Sequence, residues 1–261
     1  MKRRVVIIGS GNVATHLAKG LQEGGCKVVQ VLSRDISHAH RLADTLVACE
    51  AIDSPAQLDR TADLYLIAVS DASVAEIAGS MPQVEGIVAH TSGSVPLQAL
   101  QAASLRTAVL YPLQTFTREA RVELGKVPFF TEASDESTLS EIDEFARLMS
   151  PNVYHADSSQ RKTLHIAGVL SCNFVNYLWD CTSEVLKRDG YDFKVVEPLI
   201  RATLDKALTL GPHASQTGPA MRCDAAVMSE HMSRLDPQTA ELYEALTCAI
   251  LKAHQLECDF P

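Results

Sequence analysis

The chain has 261 residues, with 23 Lys and Arg against 32 Asp and Glu, for a net charge of −9. An acidic chain of pI about 5.4 lacks the basic face needed to grip phosphate backbones, which excludes nucleic acid as a principal partner. Apolar residues at 46% and charged residues at 21% are the balance of a globular protein, not of a disordered one.

No stretch holds the roughly 18 consecutive apolar residues of a membrane span, so no membrane partner is expected. The basic start Met1-Lys2-Arg3-Arg4 precedes only Val5 to Ile8 before Gly9, too short for the apolar core of a signal peptide. The seven cysteines (Cys26, Cys49, Cys172, Cys181, Cys223, Cys248, Cys258) are scattered, with no C-x-x-C pair. They predict neither a disulfide framework nor a zinc ribbon, and the pair His38 and His40 has no further ligand near it, so no metal is expected. The expected location is the cytoplasm.

Short apolar runs alternate with helix-period stretches over the first part of the chain. Arg4 to Ile8 reads as a buried strand, followed by a helix through His16, Leu17 and Leu21 that stops at Gly24-Gly25. Further strands are predicted at Lys27 to Leu32, Ala48 to Ile52, Asp63 to Val69, Gly86 to His90, Arg106 to Tyr111 and Val127 to Thr131, with a last one at Pro151 to Ala156. Short helices are predicted at Ser37 to Thr45 and Val74 to Ser80. Strands alternating with helices specify an α/β, doubly wound, mostly parallel sheet. Four helical stretches follow: Ser158 to Trp179, Phe193 to Leu210, Asp224 to Leu235 and Pro237 to Leu256. The expected organisation is a Rossmann domain over 1–156 and an all-α domain over 157–261.

The first strand runs into Gly9-Ser10-Gly11-Asn12-Val13-Ala14, a G-x-G-x-x-A at a helix start. Gly9 makes the sharp turn, Gly11 admits a pyrophosphate close to the backbone, and Ala14 lets helix and strand pack tightly. The helix N-terminus offers free N–H groups and a positive dipole end to that anion. The same loop on a sheet that binds S-adenosylmethionine is the competing reading. At the second strand's tip, Ser33 occupies the place where NAD-specific folds carry an acid, and Arg34 follows. A hydroxyl beside a planar guanidinium suits a 2′-phosphate, so NADP(H) is predicted, with Asp35 holding a ribose hydroxyl as the alternative. Ala68-Val69-Ser70 follows another strand and is expected to lie along the cofactor's ribose and nicotinamide.

His90-Thr91-Ser92-Gly93-Ser94 combines an imidazole and three hydroxyls at a strand's carboxyl end, suited either to orienting a polar substrate or to capping its own turn. On the first long helix of the second half, a 100° wheel groups Lys162, His165, Val169, Cys172, Asn173 and Asn176 on one stripe. A buried stripe of this kind needs partners, supplied by a ligand cleft or by neighbouring helices. Lys162 or His165 is the candidate proton donor, and Asn173 and Ser92 are candidates for substrate orientation.

These motifs, with Tyr111-Pro112-Leu113-Gln114-Thr115-Phe116 and Thr217-Gly218-Pro219-Ala220-Met221-Arg222-Cys223-Asp224, give the chain a resemblance along nearly its whole length. It resembles NADP oxidoreductases with a Rossmann-like N-terminal domain and a C-terminal domain of unknown function, relatives of pyrroline-5-carboxylate reductase and the β-hydroxyacid dehydrogenases. The resemblance implies an NADP-binding domain, a helical domain that makes a homodimer, and His90, Ser92, His165 and Asn173 near the nicotinamide. It also implies that Tyr111 and Cys223 stand where relatives often carry His and Gly.

The resulting expectation is an NADP-dependent oxidoreductase acting on a small polar carbonyl, imine or hydroxy compound. The rivals are a non-catalytic NADPH sensor or scaffold and, less well supported by the Ser33-Arg34 tip, a methyltransferase. The apolar positions Val195, Val196, Leu199, Ile200, Leu204 and Leu208 serve as core or as a dimer seam, and a homodimer is predicted.

Overall fold

The computed structural model describes residues 2–118 and 120–258; Met1, where the basic start begins, lies outside them. The chain runs β1 (Arg4–Ile8), α1 (Asn12–Glu23), β2 (Lys27–Leu32), α2 (Ile36–Ala43), β3 (Glu50–Ile52), β4 (Leu64–Ile67), α3 (Asp71–Ser80), β5 (Ile87–His90), β6 (Thr107–Pro112), β7 (Phe129–Ala133), α4 (Glu136–Arg147) and β8 (Val153–His155). The strands form one sheet in the order β3-β2-β1-β4-β5-β6-β7-β8. All neighbours pair parallel except β6 and β7, which pair antiparallel, with Pro112 opposite Phe129.

Side chains alternate across the pleat, and both faces are covered. Val5 and Ile7 of β1 join the core under α1, α2 and α4, whereas Val6 and Ile8 join the core under α3. Within α1, Ala14, Leu17, Ala18 and Leu21 recur at helical spacing and are all fully buried. The α/β doubly wound reading holds. Helix α4 was not anticipated, although Asp135 caps it by accepting from the Thr138 N–H at 2.9 Å and Ile142, Phe145 and Ala146 fill the core.

After β8 come α5 (Ser158–Gly168), a π turn (Val169–Asn173), α6 (Phe174–Arg188), α7 (Glu197–Leu210), α8 (Ala225–Arg234) and α9 (Pro237–Ala253). Among the described residues no helix is long and apolar enough to cross a membrane. The chain divides into two compact units, Met1–Cys172 and Asn173–Pro261. The expected boundary at residue 156 is therefore corrected: α5 belongs with the sheet. Arg161 supplies the reason. Its side chain is fully buried, ion-paired with Glu132 of β7, and donates to the carbonyls of Val95 at 2.8 Å and Ala156 at 3.3 Å. A buried guanidinium must be paired and hydrogen-bonded, so it ties its helix to the elements that satisfy it.

The π turn also corrects the expected uninterrupted helix from Ser158 to Trp179. A wider turn changes the residue spacing, so the 100° wheel does not run through Val169–Asn173.

The second unit has a small core of Ala220, Met228 and Leu251. No side chain of α6 or α7 is buried. Cys223 and Cys258 form a disulfide, which the scattered cysteine pattern did not foretell. The segment after α9 returns to the turn at Cys223, a contact that sequence spacing does not encode. Cys223 has a φ of 51°, a left-handed conformation suited to glycine, as the resemblance implied.

Candidate functional site

The loop from β1 into α1 is built on two glycines with different tasks. Gly9 has a φ of +117°, and a Cβ placed there would lie 2.2 Å from the Ala68 carbonyl oxygen. Only glycine allows β1 and β4 to end side by side in this way. A Cβ on Gly11 would meet nothing within 4 Å, so that residue opens onto free space. Gly11 is the N-cap of α1 and makes no side-chain cap hydrogen bond, leaving the helix's first N–H groups for an anion. Ala14 is fully buried beneath the loop.

Gly9 and Gly11, but not the buried Ala14, border a cavity of about 650 Å³ at the carboxyl ends of the parallel strands. Of the expected cofactor residues, Gly9, Ser10, Gly11, Asn12, Val13, Ser33, Arg34, Ala68, Val69 and Ser70 all line it. Ser10 Oγ donates to Ser33 Oγ at 3.1 Å, joining the glycine loop to the tip of β2. Asp35 is spent elsewhere: its carboxylate caps α2 by accepting from the Ser37 N–H at 2.9 Å and hydroxyl at 2.7 Å. Those two bonds hold its pKa below the ordinary carboxylate value. Thr91 of the loop after β5, Gln114 and Phe116 of the stretch that carries the resemblance, and Arg118, which the sequence did not single out, line the same cavity. The last three belong to the long connection after β6, and its length was the available signal.

The loop after β5 has the geometry of a capped turn. Ser92 Oγ accepts the N–H groups of Ser94 at 3.0 Å and Val95 at 3.1 Å. His90 is fully buried, and its Nδ1 accepts the Ser92 N–H at 3.1 Å. Its Nε2 makes no hydrogen bond of good geometry among the described residues. Burial first, and the Arg161 cation second, push the His90 pKa down to about 4, so the ring is neutral at pH 7. Neither side chain borders the cavity. Their bonds shape the loop.

Gly93, between them, makes a second meeting possible. A Cβ there would lie 2.8 Å from Tyr111 Cζ and 3.0 Å from His165 Cβ. Without one, the Tyr111 hydroxyl at the end of β6 reaches within 3.5 Å of His165 Nδ1 on α5. Burial, with the Asp71 carboxylate adding to it, raises the Tyr111 pKa and keeps the phenol protonated. Asp71 in turn accepts the Ser94 hydroxyl. Tyr111 was noted only through the resemblance; its pairing with His165 links residues 54 apart.

His165 and Lys162 are both exposed on α5, and Asn173 and Asn176 are exposed in the second unit. The expectation that this stripe is buried is corrected: the described chain leaves it open. Among the described residues no group of three or more His, Cys, Asp or Glu could hold a metal ion.

Two family models match the chain: a domain of unknown function, DUF2520, over residues 127–250, and shikimate/quinate 5-dehydrogenase over residues 1–85. No curated protein matches it. The chain is similar to a solved structure described as "putative NADP oxidoreductase BF3122 from Bacteroides fragilis", with 37% identity, a TM-score of 0.90, and 96% of this chain and 98% of that one covered. It shares its fold with a reductive aminase from Aspergillus terreus solved with NADPH and ethyl levulinate, at 13% identity, TM-score 0.74, and 98% and 94% coverage. A pyrroline-5-carboxylate reductase from Coxiella burnetii matches at 16% identity and TM-score 0.56, with 98% and 99% covered.

Proposed function

Because the chain belongs to the family of NADP oxidoreductases that join a Rossmann-like N-terminal domain to a C-terminal domain of unknown function, we propose that it moves hydride between NADP(H) and a small polar carbonyl, imine or hydroxy compound. One observation carries the reading: the cavity of about 650 Å³ is lined both by the open glycine loop and by Ser33 and Arg34. The nicotinamide supplies or takes the hydride, and the protein supplies position and a proton.

The residues present fit such a cofactor. Gly11 admits a pyrophosphate, the uncapped start of α1 donates to it, and Arg34 offers planar donors to a 2′-phosphate. The solved relative in complex with NADPH supports the same cofactor.

In the reducing direction, the carbon of C=O or C=N accepts hydride and the oxygen or nitrogen requires a proton. His165 is the proposed donor, oriented by the Tyr111 hydroxyl at its Nδ1 so that Nε2 is directed to substrate. Lys162, one turn earlier on α5, is the second candidate. Asn173 is proposed as an orienting residue on its chemistry, since an amide both donates and accepts. Ser92 and His90 act as positioning residues through the loop they brace.

The proposal extends to a homodimer. Leu199, Leu204 and Leu208 of α7 are 67%, 57% and 78% exposed. Covering one such side chain contributes about 2 kcal/mol, so a partner surface over this face is strongly favoured over water.

The testing experiment is a titration with NADPH and NADH read by nicotinamide fluorescence, followed by the same titration of Arg34→Ala. Tight binding that prefers NADPH, with the preference lost in Arg34→Ala, supports the cofactor reading. Equal loss for both dinucleotides removes the role of Arg34, and no binding of either to the wild type removes the oxidoreductase reading.

A further inference from the structure

Cationic side chains crowd around Ser10 in a chain whose net charge is −9. The connection after β6 brings one of them from far away. Because β7 runs antiparallel to β6, that connection starts and ends at the same end of the strands, the carboxyl end of β6. Three bonds hold it there. Asn12 Nδ2 donates to the Phe116 carbonyl at 2.9 Å, His16 Nε2 donates to the Thr117 carbonyl at 2.9 Å, and Arg118 Nη2 donates to the Ser10 carbonyl at 2.7 Å.

Arg118 borders three cavities. One, of about 540 Å³, runs along α1 and includes Lys19, Glu23 and Glu123. Of the other two, one is the large cavity of the glycine loop; the second, of about 210 Å³, lies between α1 and α2 and is lined also by Lys19 and Arg41. Ser10, His38 and Arg118 border both cavities, and no carboxylate lines the smaller one. Among the described residues, Lys19, Arg34, Arg41 and Arg118 take part in no ion pair, and His38 has only Asp35, at 3.7 Å. These four cations have no ion-pair partner among the described residues, although Asp53 and Glu76 also line the larger cavity, and mutual repulsion is relieved when an anion sits among them.

We propose that Arg118 is a specificity-determining residue for NADP(H): it grips the cofactor's 2′-phosphate from the side opposite Arg34, where the two cavities meet. This rests on the NADP(H) reading above. The pyrophosphate has its own donors in the start of α1, so the cations beyond it serve a further anion. A phosphate monoester carries close to two negative charges at pH 7 and three acceptor oxygens, enough to engage two guanidinium groups at once. NADH presents a neutral hydroxyl at the same place and has nothing for them to hold. Recognition is thus divided between the tip of β2, where sequence motifs place it, and a strap from the other half of the sheet.

The experiment is calorimetric titration of wild type, Arg118→Ala and Arg118→Lys with NADPH, NADH and adenosine 2′,5′-bisphosphate. Arg118→Ala should weaken NADPH and the bisphosphate by about 10- to 100-fold while NADH changes by less than about twofold. Arg118→Lys should recover part of the loss, keeping the charge without the fork. Equal weakening of NADPH and NADH would overturn the proposal and assign Arg118 to the pyrophosphate or to strap closure. An unaltered preference in a wild type that favours NADPH would overturn it alone. A wild type that binds neither dinucleotide would overturn the cofactor reading, and this inference with it.

Discussion

The Tyr111 hydroxyl lies 3.5 Å from His165 Nδ1, and the missing side chain of Gly93 is what lets the two meet. The pair joins the end of β6 to α5 within the first unit, so the proposed donor is carried on the same body as the glycine loop. That makes its geometry a property of the sheet and of the Arg161–Glu132 tie beneath α5.

His165→Ala should lower kcat by about 100- to 10,000-fold, the span expected for loss of a general acid, with dinucleotide affinity unchanged. Steady-state kinetics with a fluorescence titration of the cofactor check both halves. An unchanged rate would remove His165 from the mechanism and direct attention to Lys162.

Gly93→Ala should act at the same place without touching any polar group. Its Cβ would press on Tyr111 and His165 at 2.8 and 3.0 Å, and a displacement of about 1 Å at a donor costs roughly 100-fold in rate. The circular dichroism spectrum should stay that of the wild type while kcat falls. Full activity would mean that the pair is not at the reacting end.

Gly9→Ala should be a folding lesion. The new methyl meets the Ala68 carbonyl at 2.2 Å on a backbone with a φ of +117°, two penalties that together amount to about 3 kcal/mol. Urea denaturation measures it, and a midpoint equal to wild type would show that the loop relaxes freely.

His90 should make the protein acid-sensitive. Its folded pKa of about 4 lies below the 6.5 of an ordinary histidine, so the unfolded chain takes up a proton first as pH falls. Its contribution is fully present above pH about 6.5 and is lost progressively down to about 4, reaching roughly 3 kcal/mol. His90→Asn keeps an acceptor for the Ser92 N–H and does not titrate. Its melting temperature should fall less than that of wild type between pH 7 and 4.5; parallel curves would contradict the assignment.

Sedimentation at micromolar concentration should give a dimer, and Leu204→Asp with Leu208→Asp should give a monomer, because a carboxylate at a covered apolar face costs several kcal/mol to desolvate. A monomeric wild type would contradict the dimer.

What was legible in the sequence is what local sterics and periodicity dictate. Gly9 and Ala14 are read directly because those positions exclude larger side chains, Gly11 because its place in the G-x-G-x-x-A spacing marks it, and β1, β4 and β5 because parallel strands covered on both faces are continuous apolar runs. Arg161 was not legible. Its partner Glu132 lies 29 residues away, and nothing local distinguishes a buried arginine from a solvated one. The same holds for Tyr111 with His165 and for Arg118 with Ser10, contacts made by topology across 54 and 108 residues. The turn after β5 was read as two alternatives because serine hydroxyls serve substrates and backbones with the same chemistry; here Ser92 bonds to the backbone and Ser94 to Asp71. The π turn was missed because a helical wheel assumes one pitch throughout.

The Cys223–Cys258 bridge closes the chain into a ring that contains α8 and α9. With its ends 35 positions apart, such a closure removes unfolded-state freedom equivalent to about 4 kcal/mol in a unit whose buried core is small. A thiol reductant therefore changes the covalent topology of that unit and with it the tolerance of its last two helices to heat. Melting curves taken with and without reductant describe two molecules of one composition, one cyclic at its carboxyl end and one linear.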